Sequence, residues 1–134
     1  MSGNLEENDL FSRSKSRPTL EEEQVGRIID EHTREHPIEA AEIASRKGYS
    51  KRMVTAIVEK LRREHGLPIG ASRRRPSGFF MARSNDDFEA TLQTYLSQIH
   101  SMVETVRAVA PRGLRGWVNK RLRQIAFQRE VRGR

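Results

Sequence analysis

The sequence predicts a mainly α chain with one small β-hairpin. Three observations carry this: apolar residues recur at spacings of three and four in most segments, the period drops to two only between Leu67 and Ala82, and Pro or Gly punctuates the junctions. The 134 residues are 35% hydrophobic and 32% charged, with Trp117, Tyr49, Tyr95 and five Phe as the aromatics, enough for one small aliphatic core. The absence of cysteine excludes disulfides, thiolate metal sites and cysteine nucleophiles. No apolar run approaches the roughly 20 residues of a bilayer span, and the acidic stretch from Met1 to Leu10 lacks the apolar centre of a signal peptide, so a cytoplasmic protein without a membrane partner is expected.

Residues 1–18 mix Ser, Asn and charges of both signs without periodicity and are expected to form a disordered leader. Thr19 followed by Glu22 is a capping box, Val25, Ile28 and Ile29 form an apolar stripe, and Pro37 sets the helix end near Glu35. Pro37, Ile38 and Glu39 form an extended link. A short second helix carries Ala40, Ala41, Ile43 and Ala44, closed by Gly48. Ser50 caps a third helix with Val54, Ile57, Val58 and Leu61 inward, ended by His65 and Gly66. Two strands, 67–72 and 78–82, then flank a tip of Arg73, Arg74, Arg75, Pro76 and Ser77. Ser84 opens a long helix reaching Ala110 before Pro111, and residues 111–134 form a basic, helical tail with Leu114, Trp117, Val118, Leu122 and Ile125 on one side. The tail from Arg112 to Arg134 is expected to grip DNA without sequence preference, to pack its Trp117 side on the long helix, or both, and Trp117 is read as a packing residue.

This order of parts resembles a winged helix-turn-helix domain. His36 to Ala44, Gly48 to Val54, Leu61 to Ile69 and Gly78-Phe79-Phe80 are similar to the DNA-binding module at the N-terminus of biotin repressors. They are closer still to small single-domain winged-helix proteins of phages and prophages, which also continue into a long helix. Glu39 departs from the pattern, standing where the family has Thr or Ser, so it weakens the cap and turns a like charge toward phosphate. The expected organisation is a leader (1–18), a winged-helix DNA-binding domain (19–83), a long dimerisation helix (84–110) and a basic amphipathic tail (111–134).

A recognition helix meets base edges with its exposed early positions, which here are Ser50, Lys51, Arg52 and Thr55. Lys51 and Arg52 sit at the positive end of the helix dipole, a placement unfavourable for the isolated helix that an anionic partner relieves. The planar fork of Arg52 matches the two acceptors of guanine. Arg73, Arg74 and Arg75 repel one another at the hairpin tip with no acid nearby in sequence, and a phosphate or a narrow groove relieves that repulsion. Along the long helix Leu92, Leu96, Ile99, Val103, Val106 and Ala110 step by four and three, an apolar face expected to bury against a second copy. His32, Glu35 and His36 match the H-x-x-E-H pattern of zinc peptidases, but so short a chain lacks room for the rest of such an enzyme, and the dipole at a helix end accounts for the histidines. No metal, cofactor or catalysis is expected, and neither His65 nor His100 has neighbours in sequence that suggest an acid–base pair.

The net charge is +7, with positive charge concentrated in residues 36–66 (+3), 67–83 (+4) and 111–134 (+7) and offset by acidic residues 19–35 (−4) and 84–110 (−3). The expectation is a homodimeric protein that binds double-stranded DNA sequence-specifically and regulates transcription or replication of a phage or mobile element on the bacterial nucleoid. The alternative is an architectural adaptor that recruits a replication, transcription or partition partner with non-specific DNA contact.

Overall fold

Thr19 opens α1 (Leu20–Asp30) with a reciprocal cap: its hydroxyl accepts from the Glu22 N–H at 3.1 Å, and the Glu22 carboxylate accepts from the Thr19 N–H at 2.9 Å. The computed structural model describes residues 10–132, with side chains to residue 126, and in it α1 stops at Asp30 rather than near Glu35. Residues 31–36 form turns instead. The Thr33 carbonyl and hydroxyl both accept from the His36 N–H, at 3.0 and 3.2 Å, a local bond that competes with helix continuation ahead of Pro37.

The short α2 (Ala40–Lys47) begins at Glu39 without any side-chain cap and ends at Gly48, whose φ of 72° is a left-handed conformation that suits glycine. Two residues later α3 (Lys51–Arg63) begins, its first turn capped by the Ser50 hydroxyl accepting from the Met53 N–H at 3.1 Å. The hairpin is shorter than expected, with β1 (Ile69–Ser72) antiparallel to β2 (Gly78–Met81) and Ile69 opposite Met81. Ile38 from the link before α2 pairs with Phe79 through two backbone bonds of 2.9 and 2.7 Å, so the far edge of β2 is partly covered. Gly78 makes that pairing possible: its φ is 140° and a Cβ there would overlap the Ile38 carbonyl.

The core lies where α1, α2, α3 and β1 meet. Val25 and Ile29 from α1, Ile38, Ile43 from α2, Val54, Val58 and Leu61 from α3, and Ile69 are buried, each such side chain being worth roughly 1.5–3 kcal/mol. The expected leader divides: residues 1–9 lie outside the described residues, whereas Leu10 and Phe11 pack against the core and the Lys15 N–H donates to the Glu64 carbonyl at 2.8 Å. Residues 10–15 are thus attached to the domain, which no periodicity announced.

Two compact units divide the chain, residues 1–92 and 93–134. The long helix α4 (Asn85–Val109) runs from the first into the second, capped by the Ser84 hydroxyl accepting from the Asp87 N–H at 3.1 Å. Within the first unit Asp87 also accepts from the Arg83 N–H at 3.1 Å, and Arg83 itself bonds the Asp30 carbonyl. In the second unit the chain bends at Pro111 through a 3-10 turn (Arg112–Leu114) into α5 (Arg115–Arg132). Val118 is the one buried hydrophobic residue described there. The expected packing side of the tail is therefore mostly open: Leu122 is half-buried, while Leu114, Ile125 and Trp117 are exposed. Trp117, read as a packing residue, is 60% exposed with the Arg121 guanidinium 5.9 Å from its ring. Residues 133–134 and the side chains of 127–132 lie outside the described part of the chain.

Candidate nucleic-acid interface

The start of α3 presents Ser50, Lys51, Arg52 and Thr55, all exposed. Two of them are partly occupied by the helix itself. The Ser50 oxygen holds the Met53 N–H, and the Thr55 hydroxyl donates to the Lys51 carbonyl at 3.0 Å, which leaves a methyl group and an acceptor facing out. Lys51 and Arg52 occupy a first turn that contains no acid, at the positive pole of the helix.

Arg73, Arg74 and Arg75 are exposed at the hairpin tip, where the Ser72 hydroxyl donates to the Arg74 carbonyl at 3.0 Å and holds the turn. Among the described residues no carboxylate lies within 4.0 Å of Lys51, Arg52 or these three arginines. Elsewhere in the same unit Arg34, Arg46, Lys60, Arg62, Arg63 and Arg83 are each paired with an acid. The unpaired cations thus include those the sequence pattern selects.

Helix α2 relates the two groups. Its N-terminal end touches the hairpin, through the Ile38–Phe79 pairing and a Ser77 hydroxyl that donates to the Glu39 carboxylate at 3.5 Å. Its C-terminal end leads through Gly48 and Tyr49 into Ser50. Eight residues span about 12 Å, so the two cationic groups flank one short helix. The far end of α3 is held to the hairpin base by Arg62, whose Nε donates to the Ile69 carbonyl at 3.0 Å while its guanidinium lies 5.8 Å from the Phe79 ring. Glu39, lacking a cap bond, gives its carboxylate to Ser77 instead.

Along α4, Leu92, Leu96 and Ile99 are each 57% exposed and Val106 is 43% exposed, whereas Val103 is half-buried. The H-x-x-E-H stretch lies beyond the end of α1, so His32 and His36 do not share a helical face; the His32 Nδ1 meets the His36 carbonyl at 3.0 Å. Among the described residues no cluster has the makeup of a metal site.

Sequence reasoning missed acidic neighbours of two histidines: exposed His100 lies 3.0 Å from the Glu104 carboxylate one helical turn on, and the other is His65. Far from being without an acidic neighbour, it is fully buried, with Nε2 donating to the Glu22 carboxylate at 2.8 Å, Nδ1 3.0 Å from the Ser14 hydroxyl, and the Phe11 ring edge-on at 5.6 Å. Burial pushes the Glu22 carboxyl up, but hydrogen bonds from the Thr19 N–H and His65, with the charges of His65 and Lys60, hold it below its ordinary value. Glu22 and His65 are 43 positions apart, and no local pattern joins them. The pair ties α1 to the end of α3 and, through Ser14, to residues 10–15.

Among the described residues no helix is long and apolar enough to cross a membrane. Comparison of the chain with protein-family models, with curated proteins and with solved structures gives no match, so the geometry and chemistry of the surface are the grounds for a functional reading.

Proposed function

We propose that this chain is a winged-helix protein that binds duplex DNA sequence-specifically as a homodimer, regulating transcription or replication in a phage or mobile element. The observation that carries the reading is the acid-free set of cations at the start of α3 and at the hairpin tip, flanking α2. In this reading α3 enters the major groove, Arg52 reads a guanine edge, Lys51, Ser50 and Thr55 contact neighbouring positions, and Arg73–Arg75 grip the flanking backbone or minor groove. The exposed stripe Leu92, Leu96, Ile99 and Val106, with Val103 beside it, buries against the same stripe of a second copy, giving two-fold related half-sites.

Selection of bound fragments from random duplex DNA tests this. The reading predicts a palindromic consensus that disappears on Arg52→Ala; recovery of random fragments by the unaltered protein contradicts it. The exposed apolar stripe also suits a recruiting adaptor, and capture of a replication or partition protein that depends on Leu96 and Ile99, with no consensus recovered, favours that reading.

A further inference from the structure

The first unit, residues 1–92, contains sixteen Lys and Arg and sixteen Asp and Glu, whereas residues 93–134 contain nine Lys and Arg and two acids. The entire +7 of the chain therefore belongs to the second unit. The unit with the candidate reading helix is formally neutral, so the excess positive charge of the chain comes from the second unit.

We infer that α5 and the turn before it form a second, sequence-independent binding surface for the sugar-phosphate backbone of duplex DNA, separate from the reading surface of the first unit. Arg112, Arg115, Lys120, Arg121 and Arg123 are exposed, and among the described residues none has a carboxylate within 4.0 Å. At about 100° per residue, Arg115, Lys120, Arg121 and Arg123 point to four different sides of α5. Among residues 115–126 the widest arc free of cations, about 120°, contains Val118, Leu122 and Ile125, of which Val118 is buried and Leu122 half-buried. An amphipathic helix that lies on a membrane needs a broad apolar face clear of charge, and α5 does not expose one. Cations spread around a rod suit instead a polyanion whose charges recur along its surface.

The elbow between α4 and α5 adds a defined seat. A concavity of about 410 Å³ is lined by Arg107, Arg115 and Asn119 together with Ala108, Ala110 and Val118. The Arg107 Nε donates to the Asn119 side-chain oxygen at 3.3 Å, which ties α4 to α5 across the bend. Arginine at a concave bend is the residue type that best recognises a backbone phosphate.

The inference deepens the proposed function, resting on its identification of duplex DNA as the partner, and is tested separately. Binding of the full chain to a labelled duplex of arbitrary sequence is followed by fluorescence anisotropy from 50 to 300 mM salt. Replacing Arg112, Arg115, Lys120, Arg121 and Arg123 together by Gln is expected to weaken binding at least roughly tenfold at low salt and to flatten the log–log salt slope by about 3–4, near 0.9 for each phosphate no longer neutralised. Lysine at the four arginine positions restores the slope, and circular dichroism checks that the Gln variant remains helical. Should that variant lose its helix, pairs of replacements are read instead, each pair flattening the slope by about 1–2. An unchanged slope in folded variants overturns the inference, as does tighter binding to anionic vesicles or to single-stranded RNA than to the duplex. A consensus recovered alongside an unchanged slope overturns this inference and leaves the reading helix standing; a slope governed by α5 with no consensus does the reverse.

Discussion

Glu22 shows how one side chain serves two purposes: it closes the capping box with Thr19 and accepts a hydrogen bond from buried His65. Because its carboxyl is held below the ordinary value when folded, it ionises more readily in the folded state, so the stability it contributes is full above the usual carboxylate range and declines as pH falls below about 5. Urea midpoints measured from pH 7 to pH 3 are expected to place Glu22→Gln below the parent by about 1–3 kcal/mol at neutral pH, with the gap closing in acid; a gap independent of pH contradicts this. Gly78 is equally individual. With φ at 140° and the Ile38 carbonyl in the path of a Cβ, Gly78→Ala is expected to cost roughly 1–3 kcal/mol in thermal unfolding, and an unchanged Tm contradicts the assigned strain. The capping half of the Glu22 role was legible in the sequence because Thr19 and Glu22 are three residues apart. The His65 half was not, since only tertiary packing joins residues 43 apart.

Helices announce themselves when their caps are local. Ser50, Ser84 and Gly48 each stand where the sequence pattern places a helix boundary, and each makes the boundary conformation expected of it. The end of α1 is different: Pro37 limits how far a helix can run, but α1 ends at Asp30, five residues before the predicted end at Glu35, and a local Thr33–His36 turn occupies the space between. Helix α2 carries a weakness that is also a prediction. Glu39 makes no cap bond, so Glu39→Ser is expected to stabilise the chain by about 0.5–1 kcal/mol in urea unfolding, and to tighten DNA binding by removing a charge beside the hairpin tip. A drop in stability in that variant means that the Glu39 bond with Ser77 outweighs a cap. The basic tail was read correctly as a helix but not for its packing, because Leu114, Trp117 and Ile125 satisfy a helical period whether or not anything covers them.

At the scale of the whole molecule, apolar residues and charge are divided between elements. The core is gathered in the first unit, the exposed stripe runs along α4, and the net positive charge resides in residues 93–134. If α4 joins two copies, the double replacement Leu96→Glu and Ile99→Glu is expected to turn a sedimenting dimer into a monomer while leaving the first unit folded; a parent that sediments as a concentration-independent monomer contradicts the dimer. The positions of the candidate DNA-contacting residues were legible as a pattern, whereas the geometry relating α3 to the hairpin depends on α2 and on the Ile38–Phe79 pairing, which sequence periodicity does not encode. The central claim is that the start of α3 and the hairpin tip meet one duplex together. The chain has no cysteine, so a cleaving iron chelate can be tethered at a single introduced thiol, at Met53→Cys in α3, Ser77→Cys beside the tip, or Arg27→Cys on α1 as control. The first two are expected to cut neighbouring positions of the same bound duplex and the control to leave it intact; cutting from only one of them, or equally from all three, contradicts the claim.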